Sequence, residues 1–118
     1  MSGPVVAGNV HSKNARSIEI LERSGGRLEV TGALTFATAR KARQQGLHLL
    51  SVSAVRELEV DCSGITASDS AGLTVLLDWL AYAKRANRPL QLRNLPPPIL
   101  AVAQISDVRE MLEAGVRA

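Results

Sequence analysis

The sequence predicts an α/β fold in which amphipathic helices pack against a four-stranded mixed sheet. Apolar and polar residues alternate in several short runs, which is the period of a strand. Between Ser70 and about Ala86 the apolar residues recur at helical spacing instead. This helix lies between two such runs, so residues 57–93 form a βαβ unit with parallel strands. An earlier pair of runs is joined by a short turn and must be antiparallel, which makes the sheet mixed.

The antiparallel pair begins the domain. Residues 1–16 are rich in small and polar residues without a period, so we expect a flexible N-terminal tail, with the domain spanning residues 17–115. Strands are predicted over Ser17–Glu22 and Arg27–Thr31, separated by the Ser24-Gly-Gly turn.

A first helix is expected from Thr35, as its N-cap, to about Ser51. Its apolar side is predicted to comprise Phe36, Ala39, Ala42, Leu47 and Leu50. Gly32 is expected to end the strand before it, and Gly46 weakens the helix near its end. The third strand is predicted over Glu57–Cys62, with Gly64 breaking the run.

The helix beginning at Ser70 carries two apolar rows. The row expected to pack on the sheet consists of Leu73, Leu76, Leu77, Leu80 and Ala83. The opposite row consists of Ala71, Val75, Trp79, Tyr82 and Ala86. A surface helix needs only one apolar stripe, so we interpret the second row as a partner surface with Trp79 and Tyr82 as its anchors. The alternative is that their rings cover the helix flank or pack on the final helix.

The chain closes with a fourth strand over Leu90–Arg93 and a stiff turn at Pro96–Pro98. A short helix is predicted over residues 99–104. A last helix, capped by Ser106 and Asp107, should end at Gly115.

Composition limits the function classes. The 118 residues, 46% of them hydrophobic, suit one domain, and no apolar run approaches the roughly 20 residues that cross a bilayer. The single cysteine is compatible with a cytoplasmic setting. His11 and His48 lack ligand-like spacing, so no metal or other cofactor is predicted. The net charge of +3 is scattered and aromatics make up only 3%, which argues against nucleic acid.

The central motif resembles that of the STAS domain family. The residues that carry the resemblance are Asp61-Cys-Ser-Gly-Ile65, Ser68-Asp-Ser-Ala-Gly-Leu73, Pro89-Leu-Gln-Leu92 and Asn94-Leu-Pro96. The stretch Leu77–Lys84 is most similar to the MlaB subunit of bacterial phospholipid-transport ABC systems. That resemblance implies a helix that docks on an MlaF-like ABC ATPase subunit. In anti-sigma factor antagonists the serine at the position of Ser70 is phosphorylated by a partner kinase, whereas MlaB-like members usually carry threonine there.

The motif loop and helix are therefore the predicted partner-binding surface. Its residues are Asp69, Ser70, Ala71, Gly72, Thr74, Val75, Asp78, Trp79 and Tyr82. Asp69 is interpreted as a capping carboxylate, and Ser70 as a hydroxyl at the interface, a plain cap being the alternative. Gly72 allows close approach either of a partner or of another part of the domain. A neutral contact at Ser70 is favoured over a phosphate, which the charge of Asp69 would repel.

These expectations give a non-enzymatic regulatory subunit bound to the ATPase, cytoplasmic and held at the inner membrane through the complex. The alternative is an anti-sigma factor antagonist that binds an anti-sigma kinase and is released by phosphorylation of Ser70. A small enzyme using Asp69 and Ser70 is disfavoured, because a nucleophilic serine needs a base and His48 cannot be placed beside it.

Overall fold

The computed structural model describes residues 17–117. In these residues four strands form one sheet, and four helices form the layer that covers it. In chain order these are β1 (Ile18–Arg23), β2 (Arg27–Leu34), α1 (Ala39–Val52), β3 (Leu58–Ser68), α2 (Ser70–Arg85), β4 (Leu90–Arg93), α3 (Pro97–Ile105) and α4 (Arg109–Ala114). The strand order is β1-β2-β3-β4, with β1–β2 antiparallel and the other two pairs parallel. The predicted mixed α/β sheet is confirmed. The expected tail, residues 1–16, lies outside the described residues.

The two faces of the sheet differ in polarity. Every strand turns apolar side chains to the helices, and the buried pairs are Ile18 and Ile20, Leu28 and Val30, Leu58 and Val60, and Leu90 and Leu92. The opposite face carries charged side chains in ion pairs, such as Arg23 with Glu29 at 2.9 Å and Arg93 with Glu59 at 3.2 Å. This alternation is typical of a sheet with one face on the core and one in water.

Two predicted strand ends are wrong. Gly32 does not end β2, which continues to Leu34 through a register shift beside that glycine, whose φ is +106°. Gly64 does not break β3, which pairs with β2 up to Ser68. Pairing with a neighbouring strand holds both segments extended where the glycines alone would favour a break.

The first helix begins later than predicted. Thr38, rather than Thr35, is the residue before α1, and its hydroxyl donates to Ala33 O at 2.6 Å and accepts from Thr35 N at 3.0 Å. These bonds hold residues 35–38 in a turn. Phe36 is therefore outside the helix and 85% exposed, not on its core side, whereas Ala42 and Leu50 are buried as expected.

The helix predicted from Ser70 to about Ala86 is confirmed as α2, but one row of it faces another helix. Trp79 is fully buried against α1, where a Cβ at Gly46 would lie 2.3 Å from the indole ring. Its Nε1 donates to Arg43 O at 3.4 Å. Val75 is also buried. The expectation that Trp79 and Val75 lie on an open face is wrong, because α1 packs along that flank.

The C-terminal elements follow the predicted order. β4 has its predicted bounds, and α3 begins at Pro97, two residues before the expected start. Ser106 and Asp107 do not cap the last helix, whose N-cap position is Val108. Gly115 ends it with a φ of +69°, as predicted. Across residues 17–117, none of the helices is long and apolar enough to span a lipid bilayer.

Candidate functional site

The predicted site lies at the edge of the sheet where the parallel strands end. β3 pairs with β4 only as far as Asp61, and then continues beside β2 until Leu34 lies opposite Ser68. The chain segments that leave β2 and β3 are therefore neighbours. Residues 35–38 and the start of α2 form one surface as a result.

Asp69 joins these two segments. Its Oδ1 accepts from Ala71 N at 2.9 Å and Gly72 N at 3.2 Å, and its Oδ2 accepts from Phe36 N at 3.0 Å. A carboxylate at a helix N-terminus satisfies free amide groups and is favoured by the helix dipole. Asp69 is thus the N-cap of α2, as predicted, and it also fixes the loop before α1.

Gly72 is explained by packing inside the domain. A Cβ at this position would lie 2.4 Å from Leu34 O and 3.1 Å from Leu34 Cγ. The first turn of α2 therefore contacts the end of β2 at a distance that only glycine at position 72 permits. The glycine is needed by the fold itself, which was one of the two predicted explanations.

Ser70 and Thr74 present exposed hydroxyls one turn apart on α2. Thr74 Oγ1 donates to Ser70 O at 3.2 Å. The Ser70 hydroxyl has no hydrogen-bond partner among residues 17–117, because the cap role belongs to Asp69. It is free to donate to and accept from another molecule.

The remaining predicted residues vary in access. Asp78 Oδ2 accepts from Arg43 Nε at 2.9 Å in a partly exposed ion pair between α2 and α1. Tyr82 is half-buried against the core. Taken together, Ser70 and Thr74 are exposed, Asp69, Ala71, Asp78 and Tyr82 are partly buried, and Gly72, Val75 and Trp79 are buried. The accessible part is the first turn of α2 and the Asp78–Tyr82 flank.

Phe36 belongs to this surface, although its position was predicted to lie on the core side of the first helix. Its ring is 85% exposed while its backbone amide is bonded to the Asp69 carboxylate. The sequence does contain a signal for this arrangement. Thr38 follows Thr35 by three residues and is an equally good capping residue, so a helix starting after Thr38 would have left Phe36 in the loop.

A second carboxylate, Asp61, has a structural role within β3. It accepts from Asn94 Nδ2 at 2.9 Å, Ser63 N at 3.0 Å and Arg27 Nη2 at 3.1 Å. The Asn94 amide and then the Ser63 amide hold the pKa of Asp61 well below its usual range. Asp61 thereby ties β3 to β2 and to the loop after β4.

Two further groups bear on chemistry. Burial, and secondarily the charge of Asp61, raises the pKa of the Cys62 thiol to about 12, so it is not a ready nucleophile. The Ser68 hydroxyl is buried and has no hydrogen-bond partner within the described part of the chain. In that same part, no cluster of three or more His, Cys, Asp or Glu residues could hold a metal ion.

Comparisons with known proteins agree with this architecture. The family model described as "Mlab, STAS domain" matches residues 20–113. None of the curated proteins matches the chain in sequence.

Solved structures match it in fold. The anti-sigma factor antagonist SpoIIAA in its unphosphorylated form is 15% identical, with a TM-score of 0.58 over 75% of this chain and 83% of that one. A variant of RsbS from Moorella thermoacetica is 19% identical, with a TM-score of 0.57 over 75% of each chain. The murine anion transporter Slc26a9, inward-facing, is 17% identical, with a TM-score of 0.62 over 90% of this chain and 21% of that one.

At 15–19% identity, these structures show a common fold and no more. The family model is the stronger finding, because it covers most of the chain, from β1 to α4. Its span includes Asp69, Ser70 and the loop that carries Phe36. The chain belongs to the STAS domain family.

Proposed function

We propose that this chain is a non-enzymatic regulatory subunit that binds the ATPase of a phospholipid-transporting, Mla-type ABC system. The observation that carries the proposal is the exposed Ser70 hydroxyl, without a partner in residues 17–117, at the start of a helix whose position is fixed by Asp69 and Gly72. The match of an MlaB-type family model supports the choice of partner. The subunit would be cytoplasmic and held at the inner membrane through the complex.

The mechanism is differential binding. A subunit that contacts one ATPase conformation better than another shifts the enzyme toward that conformation by the difference in binding free energy. A rigid surface does this efficiently, because little conformational entropy is lost on association. The cap at Asp69 and the contact of Gly72 with Leu34 provide such rigidity at the first turn of α2.

Binding of the purified ATPase subunit to Ser70 variants tests the proposal. Ser70→Ala removes one interfacial hydrogen bond of about 0.5–1.5 kcal/mol, so affinity should fall about 2- to 10-fold. Ser70→Lys places a long charged side chain at the contact and should abolish measurable binding. Ser24→Ala is the matched control, because Ser24 is also exposed but lies in the β1–β2 turn at the opposite edge of the sheet. Wild-type protein that does not bind the ATPase would refute the proposal.

The alternative function is that of an anti-sigma factor antagonist regulated by phosphorylation of Ser70. It is favoured by the fold shared with SpoIIAA and RsbS and by the exposure of Ser70. A phosphate there would carry about −1.5 to −2 charges. It would find the amides of Ala71 and Gly72 already bonded to Asp69, whose own charge would repel it. The phosphate would thus stay at the surface, where it would disrupt a contact with another protein.

Intact-mass analysis after incubation with the cognate kinase separates the two functions. A single phosphate mapped to Ser70, with loss of kinase binding, would support the antagonist. An unmodified protein that binds the ATPase would support the transporter subunit. The third hypothesis, a small enzyme, gains no support from His48, because His48 adjoins Ile20 of β1 whereas Ser70 follows β3.

A further inference from the structure

The most exposed aromatic side chain in residues 17–117 is Phe36, the only phenylalanine of the chain. One exposed apolar residue is ordinary on a protein surface and carries no meaning alone. Three further features distinguish Phe36 from an exposed residue such as Ile105 at the end of α3, which is 87% exposed.

The first feature is that its backbone is held firmly. Phe36 N donates to Asp69 Oδ2 at 3.0 Å. The buried Thr38 hydroxyl bonds to Ala33 O and Thr35 N, and Thr38 N donates to Thr35 O at 3.0 Å. The turn that carries the ring is therefore fixed from both sides. An exposed aromatic on a fixed backbone costs little entropy to bind, which is what interface anchors require.

The second feature is position. The carboxylate that bonds to Phe36 N also caps α2. Asp69 therefore contacts Phe36 through a hydrogen bond and precedes Ser70 in the chain. The ring thus continues the surface proposed above for partner binding. Ile105 lies on α3, which follows β4 rather than β2 or β3.

The third feature is charge. Arg40 and Lys41, in the first turn of α1, are exposed and have no ion pair among residues 17–117. The carboxylates nearby are already engaged, Asp69 with backbone amides and Asp78 with Arg43. This surface therefore combines one large apolar anchor with uncompensated positive charge. Its complement is an apolar pocket bordered by carboxylates.

We propose that Phe36 inserts into an apolar pocket with an acidic rim on the protein partner and determines which partner is bound. The inference rests on the proposed function, since it assigns the specificity of the same surface. Ser70 supplies the hydrogen bond at the start of α2, and Phe36 supplies the buried anchor beside it. Arg40 and Lys41 steer the encounter.

The test is binding of the purified ATPase subunit to Phe36→Ala, Phe36→Leu and Arg40→Glu. An anchor of hot-spot strength makes Phe36→Ala weaken binding about 30-fold or more, with Phe36→Leu between it and wild type. Arg40→Glu should slow association and reduce its dependence on salt. Ile105→Ala is the matched control for loss of an exposed apolar side chain and should bind as wild type. Unchanged melting temperatures would show that the variants are folded.

Each other outcome has a distinct meaning. If Phe36→Ala binds like wild type while Ser70→Lys does not bind, the anchor is refuted and the proposed function stands. If wild type binds no ATPase, the proposed function and this inference both fail. Wild-type dimers that Phe36→Ala dissociates would refute a separate partner in favour of a second copy. Cosedimentation with phosphatidylglycerol–phosphatidylethanolamine vesicles, lost in Phe36→Ala, would refute it in favour of a membrane.

Discussion

Helix α2 has two regions of contrasting environment. Its first turn exposes the Ser70 hydroxyl, and its middle buries Trp79 completely against α1. Both residues were predicted to lie on a partner surface, yet Ser70 is exposed and Trp79 is not. The difference arises from what lies opposite: Gly46 has no side chain, and the indole ring occupies the space that results.

An aromatic residue on a second apolar row does not by itself indicate an interface. A glycine on a neighbouring helix can receive a large ring, and the pair then forms a close helix–helix contact. The most exposed aromatic residue of residues 17–117 is instead Phe36, which lies in a loop although it was predicted to lie on the core side of a helix. Whether each of these residues is buried depends on what packs beside it rather than on its own hydrophobicity.

Replacing Trp79 should destabilise the protein strongly, because its ring is fully buried. Trp79→Ala should lower the free energy of unfolding by about 3–5 kcal/mol, because it leaves a cavity in the core. Urea denaturation of this variant and of Phe36→Ala measures the contrast, since the exposed ring should contribute at most about 0.5 kcal/mol. Equal losses from the two variants would show that Trp79 is not buried.

Acid titration tests how much Asp61, on the polar side of the sheet, contributes to stability. Because its folded-state pKa is lowered, Asp61 contributes stability that is complete above the ordinary carboxyl pKa of about 3.9 and is lost as the pH falls below it. Asp61→Asn should cost about 1.5–3 kcal/mol at pH 7 through weaker hydrogen bonds, and its stability should fall less steeply in acid. Denaturation at pH 7 and pH 3 provides the measurement. Parallel pH profiles of Asp61→Asn and wild type would refute this role. As a control, Trp79→Ala removes no charge and should keep the wild-type profile.

The contact between Gly72 and Leu34 can be tested by whether one substitution raises or lowers the free energy of unfolding. A Gly→Ala change in an open helix stabilises by about 1 kcal/mol. Gly72→Ala should instead destabilise by about 1–3 kcal/mol, because its methyl group would overlap the carbonyl oxygen of Leu34. Thermal unfolding distinguishes the two signs, and a rise in melting temperature would show that the first turn of α2 is not packed there.

The smallest effect concerns the cap. Asp69→Ala should lower stability by about 0.5–2 kcal/mol through loss of the helix N-cap. Hydrogen exchange should then quicken at Ala71 and Gly72 and also at Phe36, whose amide bonds to the same carboxylate. Ser68→Ala, which removes a hydroxyl without a partner in residues 17–117, is the neutral control. Faster exchange at the helix amides alone would mean that Phe36 is not held by Asp69.

Local patterns were sufficient where one element determines its own structure. The alternation in β1 and β4, the spacing in α2 and the order strand–helix–strand all predicted correct elements. They failed where a neighbour decides. β3 continues through Gly64 because β2 pairs with it, and α1 begins at Ala39 because Thr38 bonds to the end of β2. The preference of a single residue for helix or strand does not reflect contacts with residues that are distant in the sequence.

The site shows the same division. Asp69 and Ser70 could be placed from their position before a helical run, since capping is local. The burial of Trp79 depends on Gly46, and the exposure of Phe36 depends on Thr38 and Asp69, two residues on different elements. The contact between Trp79 and Gly46 is not visible as a spacing in the sequence. For Phe36 the sequence offers only the capping signal of Thr38 and not the bond to Asp69.

The two carboxylate oxygens of Asp69 hold two different segments, the loop before α1 and the first turn of α2. A substitution at position 69 would loosen the aromatic loop and the helix start together. Variants at Phe36 and Ser70 leave these bonds to the backbone intact and should have additive effects on binding, whereas loss of Asp69 should weaken both contacts at once. Natural selection could exchange either contact point singly only while that carboxylate is kept.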